Sequence, residues 1–164
     1  MALNIIIRTA PERLVRAHQS GDWTYTERTI LASVMEDTYP PQSELIIGIH
    51  EVIEAFLCRK MGITDAEVVA FDEKYERERA EGKHPNDAEA GDAEDCPYRI
   101  PHQAATHVER AACHALDVSW IEHEQVVQQS EAGHLKTSSP APRPIESDLL
   151  HPGESLSGDQ PSNH

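Results

Sequence analysis

The sequence predicts a small α+β domain in which a β-hairpin or small sheet packs on three to four helices. Two β-branched stretches lie near the N-terminus, and capping and breaking signals bound several helical stretches after residue 40. From residue 130 onward Pro, Ser, Gly and Asp dominate, a composition that cannot offset the entropy of ordering the chain. We therefore predict one helix-rich globular domain over residues 1–129 and a disordered tail over residues 130–164.

The N-terminal part of the chain carries the β signals. Residues 3–8 (LNIIIR) predict a short buried strand that Pro11 ends, and residues 12–19 predict a short helical turn. Residues 23–35 (WTYTERTILASVM) predict two short strands in a half-buried hairpin, with a polar turn at residues 27–28.

Two helices are predicted after the Pro-Pro break at residues 40–41. The first runs from about residue 43 to residue 61, and Gly62 is a natural stop. The second begins at Thr64, where Thr-Asp-Ala-Glu has the form of a capping box, and runs to about residue 81.

The second half of the domain contains an acidic loop and two more helices. Residues 82–97 are rich in Gly, Pro and Asp and predict an exposed acidic loop. Pro101 suits the first turn of a third helix that reaches about residue 116. Ser119 opens a second capping box, which predicts a short fourth helix to about residue 129.

The charge of the chain restricts its partners. The formal net charge is −15, from 14 basic and 29 acidic residues, and such a surface repels nucleic acid and anionic lipid. We therefore expect no nucleic-acid partner through direct charge attraction and no membrane association. A surface this acidic would also suit an inhibitor that mimics DNA, if its carboxylates were spaced like phosphates.

Cysteine usage and the N-terminus predict a cytoplasmic setting, which is the host cytoplasm if the chain is phage-encoded. The chain has an odd number of cysteines, Cys58, Cys96 and Cys113, and no CxxC pair. Neither a disulfide framework nor a zinc knuckle is therefore expected. The N-terminal apolar run is too short for a signal peptide, and no stretch reaches the length of a membrane span.

The first predicted helix carries ionisable groups on its apolar face. A helix turns about 100° per residue, so Ile46 and Ile53 lie within roughly 60° of His50, and Glu54 lies about 40° from it. Burying an unpaired carboxylate costs several kcal/mol. A histidine and a glutamate four residues apart can both reach one cation, so a metal ion would explain the pair.

The other helices repeat this pattern. On the third helix His102 and Glu109 share a stripe about 60° wide, beside an apolar side formed by Ala105, Val108, Ala112 and Leu116. On the second helix an aspartate also touches the apolar face. Buried pairs, such as His50 with that aspartate and Glu109 with an arginine, are the structural alternative. The predicted ligands of a divalent metal, Zn or Mn, are His50, Glu54, Asp72, His102 and Glu109.

The sequence His50-Glu51-Val52-Ile53-Glu54 has the form HExxE and resembles the HExxH helix of zinc metallopeptidases. A β-hairpin that leads into this helix is also similar to the minimal zincin layout. The resemblance implies that His50, Glu54 and His102 bind zinc and that Glu51 activates a water molecule. In this chain a glutamate replaces the second histidine of the motif.

Glu51-x-x-Glu54 also resembles the first half of the ExxE…ExxD metal motif of all-α nucleotide pyrophosphohydrolases of the MazG type. The nearest second half is Glu73-x-x-Glu76, which lacks the aspartate. That departure leaves a metal site of the MazG type without its second set of ligands.

The wider layout resembles a group of small uncharacterised phage and prophage proteins. The resemblance covers roughly residues 3–124, through the segments IIIRT, GDWTY, IHEVIEAFLCRKMGIT, VVAFD and PYRIPHQAATHVERAACHALDVSW. It implies a phage-related origin and no known activity.

These observations favour a phage-related metal-dependent hydrolase in which Glu51 is the general base. A nucleotide or other phosphoester is the first choice of substrate, although no Gly-rich phosphate loop is present, and a peptide is the second. A non-enzymatic acidic phage protein that binds a host factor through residues 81–95 is the main alternative. A third possibility is a protein that holds a signalling nucleotide between its helices. The width of the apolar helix face also allows a homodimer.

Overall fold

The computed structural model describes residues 2–11, 15, 19–35 and 40–134, with side chains up to residue 128. Most of the predicted turn over residues 12–19 lies outside this set, as do residues 135–164 of the predicted tail.

The described residues form an α+β domain with a three-stranded sheet and four helices, as predicted. None of the described helices is long and apolar enough to cross a membrane. In chain order the elements are β1 (Asn4–Ala10), β2 (Gly21–Tyr25), β3 (Thr29–Met35), α1 (Pro41–Met61), α2 (Asp65–Ala80), a single 3₁₀ turn (Ala90–Asp92), α3 (Arg99–Ala115) and α4 (Trp120–His134).

The sheet has the strand order β1-β3-β2. Strands β2 and β3 form the predicted antiparallel hairpin, with Tyr25 opposite Ile30. Strand β1 pairs parallel to β3, which the sequence did not indicate. Strand β3 is central and packs on α1, and residues 30–35 are all buried rather than half-buried.

The prediction that the first strand is buried was wrong. In β1 Ile5, Ile6 and Ile7 are 54%, 42% and 39% exposed, because β1 is an edge strand that pairs on one side only with β3. A run of isoleucines favours β structure in either location, and it lacks the alternation that would distinguish the two faces. Ile7 still packs against α1 at Gly48, where a Cβ atom would have no room.

The helix signals are mostly confirmed. Gly62 ends α1 in the left-handed conformation with φ of 77°. The Thr64 side chain accepts a hydrogen bond from the Glu67 amide, and the Glu67 carboxylate accepts one from the Thr64 amide, so the capping box at the start of α2 is present. Pro101 lies in the first turn of α3.

Helix α4 extends past its predicted end. It reaches His134 rather than residue 129, so the first five residues of the predicted tail are helical. Residues 131 and 132 are glutamate and alanine, which are good helix formers, whereas the prediction considered mainly apolar content.

The predicted acidic loop is only partly exposed. It contains the 3₁₀ turn, and Gly91 and Cys96 are buried. His84 stacks on Tyr75 of α2 with ring centroids 4.0 Å apart. The His102 ring occupies the space that a Cβ of Gly91 would need. The loop therefore packs against α2 and α3 rather than extending into solvent.

Helix α1 is the centre of the fold, since it packs on all three strands and on α3. Its buried residues join two apolar clusters, one around Trp23, Ile30, Ala55, Cys58 and Val68 and the other around Ala10, Val34, Met35 and Ile47. The predicted apolar side of the third helix was too wide, because Val108 and Leu116 are exposed. A helix buries only the part of an apolar arc that a neighbouring element covers.

Candidate metal centre

The packing of α1 against α3 brings four predicted site residues together, two from each helix. His50 and Glu54 face His102 and Glu109 across this interface. The four side chains line a cavity of about 480 Å³ whose walls come from α1, α2, α3, α4, β2 and the loop around the 3₁₀ turn. The side chains therefore border a space large enough for a ligand.

His50, Glu54 and His102 form a compact group, here called the metal triad. Glu54 Oε2 lies 3.5 Å from His50 Nε2 and 3.0 Å from His102 Nδ1. One ligand atom from each of the three residues lies within 4.8 Å of the others. Ligand atoms around a tetrahedral zinc ion, with bonds of about 2.0–2.1 Å, are roughly 3.3 Å apart. The two measured distances bracket that spacing.

Each member of the metal triad also has its remaining polar atom engaged. His50 Nδ1 lies 2.8 Å from Glu109 Oε2, and His102 Nε2 lies 3.0 Å from Glu89 Oε2. The indole N–H of Trp23 donates to Glu54 Oε1 at 2.8 Å.

These contacts orient both imidazoles. A carboxylate at neutral pH only accepts hydrogen bonds, so the histidine nitrogen that faces Glu109 or Glu89 carries a proton. In a neutral ring the other nitrogen then has its lone pair toward Glu54. Metal-binding histidines commonly have this arrangement, with one ring nitrogen at the ion and the other held by a carboxylate.

A third histidine, on α4, extends these contacts. His123 Nε2 lies 2.8 Å from Glu109 Oε1, and its side chain is fully buried. The result is a continuous series of alternating histidines and glutamates, here called the histidine–glutamate chain, which runs through His123, Glu109, His50, Glu54, His102 and Glu89.

Sequence reasoning missed Glu89 and His123. Glu89 lies in the loop that was predicted to be fully exposed, and nothing in its sequence context indicates that Gly91 packs under His102. His123 did carry a signal, because Trp120, His123 and Val127 share one face of α4 at helical spacing. Projecting the fourth helix as well as the first three would have found it.

The charges along the histidine–glutamate chain compensate one another. Burial on its own lowers the pKa of His50 and His102, but the hydrogen bonds that His50 donates to Glu109 and Glu54 raise its pKa well above its usual value. The hydrogen bonds that His102 donates to Glu54 and Glu89 raise the pKa of His102 to about 10. Without a metal ion, both imidazoles are therefore protonated at neutral pH.

The carboxyl groups shift in the opposite direction. Burial alone raises the pKa of Glu109, but hydrogen bonds from His123 and His50 bring it down to about 2. The pKa of Glu54 is lowered in the same way, because hydrogen bonds from His102 and His50 outweigh burial. A metal ion that enters the triad would replace the imidazole protons, since histidine binds metal in its neutral form.

Asp72 is not part of the metal triad. The Tyr98 hydroxyl donates to Asp72 Oδ1, and Gln19 Nε2 donates to Oδ2 at 3.1 Å. Asp72 does line the same cavity. The predicted alternative pairs differ from those observed, because His50 contacts Glu109 rather than Asp72, and Glu109 contacts two histidines rather than an arginine.

Glu51, the predicted general base, lies on the wall of the same cavity that the triad borders. Its carboxylate packs against Gly21 at the start of β2, where a Cβ atom would collide with it. The absence of a side chain at residue 21 therefore allows Glu51 to lie between α1 and the sheet.

A second group that could hold an ion shares His102. Glu89, Asp92 and His102 each offer a ligand atom within 4.8 Å of the others. Glu89 and Asp92 are exposed, whereas Glu54 is buried. The metal triad is the more enclosed of the two groups.

The three cysteines lie outside both groups. None of them forms a disulfide and all are buried, and burial raises the pKa of Cys96 to about 12 and also raises that of Cys113. Thiols with raised pKa values are poor metal ligands, because the thiolate is the form that binds.

Neither a protein-family model, nor a curated protein, nor a solved structure matches the chain. The function is therefore argued from the geometry of the site.

Proposed function

We propose that the protein is a metal-dependent hydrolase that holds one Zn²⁺ or Mn²⁺ ion at the metal triad. The observation that carries this proposal is the convergence of His50 Nε2, His102 Nδ1 and Glu54 Oε2 while the opposite polar atom of each residue is held by a separate partner. Two imidazoles and one carboxylate favour Zn²⁺, Mn²⁺ or Fe²⁺ over Mg²⁺, which prefers oxygen ligands.

A purely structural role would also account for the ion pairs, because protonated histidines and carboxylates neutralise each other. Two features favour the metal. The triad borders a cavity of about 480 Å³ instead of being enclosed in the core. Three protein ligands around one ion also leave a coordination position for water, which is typical of catalytic rather than structural zinc sites.

The proposed reaction is hydrolysis by a metal-bound water. The ion lowers the pKa of that water, and Glu51 accepts its proton as the water attacks the substrate. The resemblance of His50-Glu51-x-x-Glu54 to the HExxH helix supports these roles. The phage-related origin remains a prediction from the sequence.

Metal content tests the proposal. The purified, tag-free protein should contain about one transition metal ion per chain by mass spectrometry, and His50→Ala and His102→Ala should each lose it. His114→Ala is the matched control, because His114 is exposed at the end of α3 and should leave metal content unchanged. If wild type contains no metal even after reconstitution with Zn²⁺ and Mn²⁺, the proposal fails. Non-enzymatic binding to a host protein then becomes the leading function.

Glu51 has a separate test. Glu51→Gln should keep the metal and lose at least about 100-fold in kcat against any substrate that wild type hydrolyses, since general-base catalysis contributes about 10²–10⁴-fold. If this variant keeps wild-type activity, Glu51 is not the base.

A further inference from the structure

The charge around the cavity identifies a class of substrate. Eight carboxylates and two arginines line it, with no lysine among the lining residues. With neutral histidines and one divalent ion in the triad, the lining is still about four charges negative. An anionic substrate would have to approach against this field.

The two arginines of the lining are already engaged. Arg79 forms an ion pair with Glu76 at 3.4 Å and donates to the Ala88 carbonyl. The Arg110 guanidinium lies 4.6 Å from the centroid of the Trp120 ring. A phosphate group would therefore have to displace a contact of Arg79, or bind the N–H groups of Arg110 within a lining that is otherwise acidic.

Trp120 also indicates what the cavity accepts. Its ring lines the cavity, and in the structure a cation lies over it. A substrate ammonium or guanidinium would have to displace Arg110 from this ring, and it would then meet the same aromatic face and the carboxylates around it. Asp92 and Glu124 line the cavity outside the metal triad, and Asp92 also belongs to the second group that could hold an ion.

We propose that the cavity takes a cationic peptide, whose ammonium or guanidinium group is bound by Asp92, Glu124 and the Trp120 face while its amide carbonyl reaches the metal triad. This inference rests on the proposed hydrolase function. In the reaction the water oxygen bonds to the amide carbon and the C–N bond breaks. The proton accepted by Glu51 passes to the leaving nitrogen, so one amide and one water give one carboxylic acid and one amine.

Binding to the zinc-loaded full-length protein tests the proposal. The probes are tetrapeptides of lysine, glutamine and glutamate, together with inorganic phosphate, and calorimetry measures each affinity at low and high salt. The lysine peptide should bind most tightly, and salt should weaken its binding. Tighter binding of the glutamate peptide or phosphate, or no binding of the lysine peptide, would overturn the proposal.

Variants separate the cavity from the acidic surface as a whole. Asp92→Asn and Glu124→Gln should each weaken lysine-peptide binding about two- to fivefold, the size expected for a partly exposed ion pair. Glu73→Gln is the matched control, because Glu73 is exposed on α2 and outside the cavity, and it should change nothing. An equal loss in the control would show binding to net charge alone and refute the cavity site.

The same samples distinguish the two proposals. Their metal content, measured by mass spectrometry, reports on the triad whichever peptide binds. Metal at the triad combined with preferred binding of phosphate refutes the cationic substrate and leaves the hydrolase standing. Absence of metal refutes the hydrolase and, with it, the peptide substrate.

Discussion

Two buried clusters in this protein hold carboxylates against the same cavity, but they differ in their partners. In the histidine–glutamate chain, Glu54 and Glu109 contact histidines. In the other cluster, Asp72 accepts hydrogen bonds from the Tyr98 hydroxyl and from the side-chain amide of Gln19. A buried carboxylate is therefore not a metal signal by itself.

The difference lies in which partner can release a proton. An imidazolium gives up its proton to become a metal ligand at accessible pH. Burial and the neighbouring Asp72 raise the pKa of Tyr98 far above neutrality, so the phenol remains a hydrogen-bond donor. The first cluster is thus suited to exchange protons for a metal ion, and the second is suited to hold α2 against the start of α3.

The largest expected effect comes from truncating one carboxylate in each cluster. Glu54→Ala should abolish metal binding and lower the free energy of unfolding of the metal-free protein by about 3–5 kcal/mol, because it removes the carboxylate that two buried imidazolium groups and the Trp23 indole share, and each imidazolium then keeps one carboxylate partner. Asp72→Asn should cost about 1–3 kcal/mol and keep the metal, because neutral donors lose less. Urea unfolding and metal analysis measure both effects. Equal metal loss in the two variants would contradict the distinction between the clusters.

The pH dependence of metal binding should sharpen the same comparison. Because His50 and His102 are both protonated in the metal-free protein near neutral pH, binding should release about two protons, and affinity should rise about 100-fold per pH unit. Competition with a chelating indicator between pH 6 and 8 measures the slope. An affinity independent of pH would show that the imidazoles are not ligands.

Stability of the metal-free protein should show the opposite trend at high pH. The raised pKa of His102 adds stability that is fully present below its unfolded value of about 6.5 and is lost as pH rises through about 10. The lowered pKa of Glu109 adds stability that is present above about 4.5 and is lost as pH falls through about 2. Urea unfolding in chelator should therefore give a maximum near pH 5–6, and a maximum above pH 8 would contradict these signs.

Glu109 should act on the metal through His50. Glu109→Gln keeps the triad but weakens the hydrogen bond that orients His50 Nδ1, and loss of such a partner typically costs 10–100-fold in metal affinity. Glu122→Gln, an exposed position on α4, is the control. If metal affinity is unchanged while stability falls, Glu109 serves only the fold.

The sequence predicted the parts of this arrangement that depend on helical periodicity. His50 and Glu54 on one helix, and His102 and Glu109 on another, follow from a 3.6-residue repeat, and both pairs do face the interior. The α+β class followed from the same patterns and from the turn signals.

The parts that the sequence did not predict depend on contacts between distant segments. The Asp72 carboxylate on the apolar face of α2 is held by the Tyr98 hydroxyl, which is 26 residues away in the sequence. Glu89 reaches His102 only because the loop packs through Gly91. The exposure of β1 depends on its place at the edge of the sheet, which local pattern does not encode.

The most specific expected effect comes from two buried glycines. A Cβ at Gly91 would meet the His102 ring, and a Cβ at Gly48 would meet Ile7 of β1. Gly91→Ala and Gly48→Ala should each lower the free energy of unfolding by about 1–3 kcal/mol through overpacking. Only Gly91→Ala should also weaken metal binding, because it moves a triad imidazole, whereas the contact at Gly48 involves the edge strand and none of the metal ligands. Equal metal affinity in the two variants would mean that the position of His102 does not control the ion.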